Sequence, residues 1–127
     1  MKTVFIFCLI FILSACSLPS RKQHKQQSLA AGKQLSFQSD KGNCLACHII
    51  EDGEDPGNIG PALVDIQARF ATKLQLKAII WDATQFNSET SMPPFGKNKI
   101  LSVEELELVV DYIWTLTDTP NQLEKEW

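Results

Sequence analysis

The sequence predicts an all-α domain, on three observations. Leu106, Val109, Val110 and Ile113 recur at the i, i+3, i+4, i+7 spacing of one helix face. Glycine and proline cluster between the periodic stretches, at Gly53 to Pro61 and at Pro93 to Gly96, where they break helices into separate elements. No stretch alternates apolar and polar residues well enough to argue a strand. The chain has 127 residues, enough for one such domain and not two.

The first element is not part of that domain. Residues 1–15 carry one lysine, then a nearly unbroken apolar run from Val4 to Leu13, then small residues. The run is too short to span a bilayer comfortably. With its charged start it reads as an export signal rather than as a buried core helix. Leu13-Ser14-Ala15-Cys16 resembles the lipobox of bacterial lipoproteins. The resemblance implies cleavage before Cys16, lipidation of that cysteine, and a lipid-anchored protein on a membrane facing the periplasm. Ser17 after the cysteine favours the outer membrane. The competing reading is a plain secretory signal with an incidental cysteine.

Residues 16–33 form the second element. Pro19 to Lys33 is polar, basic and rich in Gln and Ser, the composition of a flexible tether. From Gln34 onward there are 15 acidic and 7 basic side chains, a balance of −8 with His neutral. A basic tether beside anionic lipid and an acidic globule facing away is one reading of this asymmetry. A solvated acidic surface without a partner is the other. No nucleic-acid partner is expected.

Residues 34–127 are the expected folded domain. A short helix spans Leu29 to Ser39, overlapping the tether. A loop follows over 49–62. Helix resumes from Asp65 to Ala83, with Leu74, Ala78 and Trp81 on one face and Ile79 and Ile80 widening it. Asn87 to Lys99 holds Pro93, Pro94 and Gly96 and is expected to be irregular. The last helix opens on Ser102-Val103-Glu104-Glu105, a capping-box pattern.

The chemistry lies between the first helix and the loop. Once the signal takes Cys8 and lipidation takes Cys16, Cys44 and Cys47 remain, in an oxidising compartment. A disulfide between them would close a very short loop and add little. Cys44-Leu45-Ala46-Cys47-His48 instead matches C-x-x-C-H, the attachment motif for haem c. Two thiols at that spacing reach the two vinyl groups of one porphyrin as thioethers, and the adjacent histidine comes under the iron. A zinc ribbon needs a second cysteine pair, which the chain lacks.

An electron carrier needs a second axial ligand. Met92 is the one methionine after Met1, in Ser91-Met92-Pro93-Pro94-Phe95-Gly96, and the prolines stiffen the backbone that presents it. A soft thioether favours Fe(II) and raises the potential. His24 is the competing candidate, with a surface position as its plainer role. For the remaining N–H of His48, the Pro61 carbonyl is the candidate acceptor; a proline that merely opens a helix is the alternative. Arg69, the one arginine after residue 34, is a candidate partner for a haem propionate or a surface residue.

The order of helix, C-x-x-C-H, Gly60-Pro61 loop, middle helix, Met92 loop and last helix resembles class I cytochromes c. The segments Pro56-Gly57-Asn58-Ile59-Gly60-Pro61, Ile80-Trp81-Asp82-Ala83 and Met92-Pro93-Pro94-Phe95-Gly96 narrow the resemblance to SoxX, over roughly residues 35–117. SoxX is the small monohaem subunit of the SoxAX complex. That resemblance implies a class I cytochrome c fold around one covalent haem c, and a SoxA-type cytochrome as partner. Together the two conjugate thiosulfate oxidatively to a cysteine of the SoxYZ carrier, an L-cysteine S-thiosulfotransferase reaction. This chain would accept electrons, pass them to a downstream cytochrome c, and supply no catalytic residue. A stand-alone lipid-anchored electron shuttle is the alternative. The partner is expected at the haem edge, beside Ile49, Ile50, Glu51 and Asp52 and beside Pro93, Pro94 and Phe95; an exposed Pro93-Pro94-Phe95 would anchor a lasting interface, whereas a transient shuttle would rely on charged rims.

Overall fold

A computed structural model describes residues 20–51 and 53–117. The expected signal over 1–15, Cys16 and Asp52 lie outside the described residues. The described residues contain four helices in order: α1 (Arg21–Phe37), α2 (Ile66–Arg69), α3 (Lys73–Trp81) and α4 (Val103–Ile113). Short 3₁₀ turns occupy Cys44–Ala46 and Ala83–Gln85. Among the described residues there is no strand, and no helix is long and apolar enough to cross a membrane.

α4 forms as its pattern requires. The Ser102 hydroxyl accepts from the Glu105 amide at 3.2 Å, and the Glu105 carboxylate accepts from the Ser102 amide at 2.8 Å. This satisfies two of the orphan donors at a helix start. Leu106, Val109, Val110 and Ile113 are all but inaccessible and form the centre of the core, joined by Ile66, Leu76, Ile80, Phe95 and Leu101. Glu105 also pairs with Lys41 at 2.7 Å, tying the turn after α1 to the start of α4.

α1 corrects the expected tether. Residues 21–33 are helical, and the helix extends eight residues ahead of Leu29. A second capping box starts it: Ser20 accepts from the Gln23 amide at 3.4 Å, and the Gln23 side chain accepts from the Ser20 amide at 2.7 Å. Between Arg21 and Ala31 the chain uses mostly Lys, Gln, Leu and Ala, which lose little on entering a helix. Residues 21–27 are exposed all round, so their polarity is that of a solvated helix and not of a disordered linker.

The second half of α1 crosses α4 at Gly32. A Cβ placed there would lie 2.0 Å from the Leu108 carbonyl oxygen and 2.8 Å from Tyr112 Cβ. Only glycine lets the two backbones approach so closely. One turn later Phe37 meets Tyr112 edge to face, with ring centroids 6.3 Å apart.

The helix expected over Asp65 to Ala83 is two helices. Phe70 is extended, and the Thr72 hydroxyl caps α3 by accepting from the Gln75 amide at 3.3 Å. The restart resets the helical phase. Leu76 and Ile80 are buried, whereas Leu74 is 74% exposed and Trp81 is partly exposed, so the expected Leu74–Ala78–Trp81 face is not the core face. α3 lies against α4, and Lys73–Asp111 and Lys77–Glu107 ion pairs edge that contact. From Asn87 to Lys99 the backbone is irregular, as its prolines and glycine require.

Candidate functional site

The turn carrying Cys44 and Cys47 is built from the backbone outward. Asn43 adopts the left-handed conformation, which asparagine tolerates better than most residues, and leads the chain into the Cys44–Ala46 turn. The Cys47 and His48 amides then both donate to the Cys44 carbonyl, at 3.1 and 2.8 Å. This helical turn puts both cysteines and His48 on the wall of one cavity. Cys44 and Cys47 are free thiols, neither fully exposed. Burial pushes the Cys44 thiol up to about 11, partly offset by a hydrogen bond with Ser36, so it stays protonated and uncharged at neutral pH.

The loop after His48 folds back under this turn. Gly57 donates to the Leu45 carbonyl at 2.7 Å, Gly60 to that of Cys47 at 2.8 Å, and Leu63 to that of Ile49 at 2.8 Å. These three bonds bring Pro61 to the histidine. His48 Nδ1 lies 2.7 Å from the Pro61 carbonyl oxygen, which sets the ring orientation and leaves Nε2 as the nitrogen able to bind a metal. Gly60 supports the ring face. A Cβ there would stand 2.3 Å from His48 Cε1. Pro61 does not open a helix, since α2 starts only at Ile66.

The cavity measures about 720 Å³. Its apolar wall includes Leu63, Phe70, Leu76, Ile80, Phe95 and Ile100. Cys44, Cys47, His48 and Met92 all line it. Met92 is half-buried, and its amide donates to the Thr90 hydroxyl at 3.1 Å. Arg69 also lines the cavity; its Nη1 donates to the Ala62 carbonyl at 3.0 Å, and its guanidinium lies 5.8 Å from the Phe70 ring centroid. His24 does not line the cavity. It sits in the exposed first half of α1.

These residues fit a haem. A flat apolar macrocycle needs a largely apolar cleft of this order of size. Two thiols, an imidazole whose Nδ1 is already committed to Pro61, and a thioether sulfur complete the donor set around one cavity. Among the described residues no group of three or more His, Cys, Asp or Glu side chains could by itself hold a metal ion.

Two expected surface residues are not on the surface. Phe95 is 8% exposed and belongs to the core, and Ile50 is buried as well. The Phe95 side chain turns inward because the segment doubles back, with the Leu101 amide donating to the Phe95 carbonyl at 3.1 Å. A large exposed apolar residue that lines the cavity is Ile59, at 72% exposure. Nothing in the sequence pattern marks Ser36 or Asp82 for a role. Asp82 stood inside the Ile80–Ala83 segment without a role.

Residues 27–113 match the family model described as cytochrome C oxidase, cbb3-type, subunit III. No curated protein matches the chain.

Proposed function

Since the chain belongs to the cbb3-type cytochrome c oxidase subunit III family and is thereby a haem-binding cytochrome c domain for electron transfer, we propose that it carries one haem c. Cys44 and Cys47 would hold it through thioethers, and His48 and Met92 would ligate its iron. The observation that carries this reading is the convergence of these four side chains on one apolar cavity, with His48 Nδ1 fixed by Pro61. The haem supplies one-electron exchange when bound. The chain's own residues orient the His48 ring, present the Met92 sulfur, and surround the group with apolar side chains that exclude water and favour the less charged reduced state. Arg69, at the cavity wall beside Ala62, is placed to meet a propionate.

The finer reading is a SoxX-type electron-accepting subunit that works with a SoxA-type cytochrome on thiosulfate and a SoxYZ-type carrier. The motif wording around Gly60-Pro61, Trp81-Asp82 and Met92 favours it. Its buried Phe95 removes the apolar anchor expected for a lasting interface. The stand-alone shuttle, held by acyl chains on Cys16 at the periplasmic face of the outer membrane, therefore stands as the second reading.

Met92→Ala tests the ligand set. The haem should stay attached, the potential should fall, and the reduced protein should bind carbon monoxide. Survival of the red-region Met–iron band and of the potential would reject Met92. Copurification of a SoxA-type haem protein in a salt-resistant complex separates the first partner reading from the second; fast, salt-sensitive reduction of a small soluble cytochrome without such a complex favours the shuttle.

A further inference from the structure

The segment that carries Met92 has no regular helix between the Ala83–Gln85 turn and α4, yet its two ends meet at one side chain. Asp82 is wholly inaccessible and is the one charged residue among the buried polar side chains described. Its two oxygens divide their work. Oδ1 accepts from the Thr84 amide at 3.2 Å and from the Thr84 hydroxyl. Oδ2 accepts from Gln85 Nε2 at 3.1 Å and from Lys97 Nζ at 2.8 Å. Thr84 and Gln85 begin the segment and Lys97 ends it. Resting on the reading of Met92 as an axial ligand, we propose that Asp82 is a positioning residue for Met92, a buried carboxylate that clasps both ends of the 84–97 segment and so holds the thioether in the cavity.

The main chain supports the same closure. The Gly96 and Lys97 amides both donate to the Trp81 carbonyl at 3.2 Å, mooring the downstream end at the C-terminus of α3. Gly96 is needed there, because a Cβ would stand 2.1 Å from the Trp81 ring. Closing a loop costs chain entropy, and a contact that holds both ends is what keeps an irregular segment in one conformation. The clasp is strong because it is buried at the carboxylate. Removing Lys97 leaves a desolvated anion without its cation, whereas neutralising Asp82 releases the lysine into water. The same hydrogen bonds hold the Asp82 carboxyl well below the usual carboxylate range, the Lys97 contribution leading.

A merely structural Asp82 would affect melting and nothing at Met92. Imidazole binding to the ferric holoprotein separates the two roles, since imidazole enters only when Met92 has left, and its apparent affinity reports the fraction of Met-off protein. Asp82→Asn, which keeps an oxygen for Thr84, and Lys97→Ala should each raise imidazole affinity about tenfold. Hydrogen exchange at the Gly96 and Lys97 amides should quicken in Asp82→Asn. Lys73→Ala, which breaks the exposed pair with Asp111, should leave imidazole affinity unchanged. Wild-type affinity in both clasp variants, beside raised affinity in Met92→Ala, would overturn the clasp alone. An equal rise in Lys73→Ala would overturn it as an effect of general stability. Unchanged affinity in Met92→Ala would overturn the ligand reading and the clasp with it.

Discussion

Gly32→Ala sets two effects of opposite sign against each other. Alanine is the better helix former, and at an exposed helical position the change stabilises by about 0.5–1 kcal/mol. At Gly32 the added carbon would lie 2.0 Å from the Leu108 carbonyl oxygen and 2.7 Å from its carbonyl carbon. Both obstacles are α4 backbone and neither can rotate away. α1 must therefore lift off α4, and overpacking of this kind costs about 1–3 kcal/mol. The clash sits at the upper part of that range because Phe37–Tyr112 packing, one turn away, shifts with it. The net is a loss of about 1–2 kcal/mol, which at roughly 4–8 °C per kcal/mol lowers Tm by about 5–15 °C. Urea and thermal unfolding of the ferric holoprotein, followed by far-ultraviolet circular dichroism, measure it. Ala30→Gly, at an exposed position two residues earlier, isolates the propensity effect and should cost about 1 kcal/mol. An unchanged or raised Tm in Gly32→Ala would refute the close-crossing argument, because propensity alone predicts that sign.

Three further outcomes are expected. Gly60→Ala pushes a carbon to within 2.3 Å of His48 Cε1, so the ring must turn away from Pro61; the imidazole becomes less basic and the reduction potential should rise, whereas an unchanged potential in redox titration would show that the Pro61 contact does not tune the ligand. Acid stability should depend on Asp82: its carboxyl is depressed by Lys97, Thr84 and Gln85, so its contribution is complete above its ordinary value of 3.8 and is lost as pH falls below that value toward the folded one. The gap in urea midpoint between wild type and Asp82→Asn should accordingly be narrower at pH 3 than at pH 7, and a constant gap would contradict this. Cys16→Ser should release a soluble form or block processing after Ala15, and unmodified mature wild-type protein free in the periplasm would count against lipidation.

The parts of this fold that could be read from the sequence are those whose signal is local. α4 announces itself because one capping box and four apolar residues at helical spacing lie within twelve positions. The C-x-x-C-H turn is legible because two thiols and an imidazole stand within five positions, a local pattern that few other roles produce. The first half of α1 hid because a helix solvated on all sides has no apolar stripe, and its basic, Gln-rich composition is shared with linkers. The break at Phe70–Thr72 hid because periodicity continues through it with a changed phase. Phe95 misled because flanking prolines describe the backbone and not the direction of the side chain. The Asp82 clasp joins residues 15 positions apart through a tertiary contact, and no spacing rule encodes it.

The most direct test of the central claim is mass spectrometry of the mature protein, isolated from cells able to mature c-type cytochromes. A proteolytic peptide containing Cys44 to His48 should carry the mass of one haem, the haem should remain with the polypeptide in acid acetone, and Cys44→Ala with Cys47→Ala together should abolish both results. Haem that extracts freely into acid acetone, with the Cys44–His48 peptide at its unmodified mass, would contradict the account.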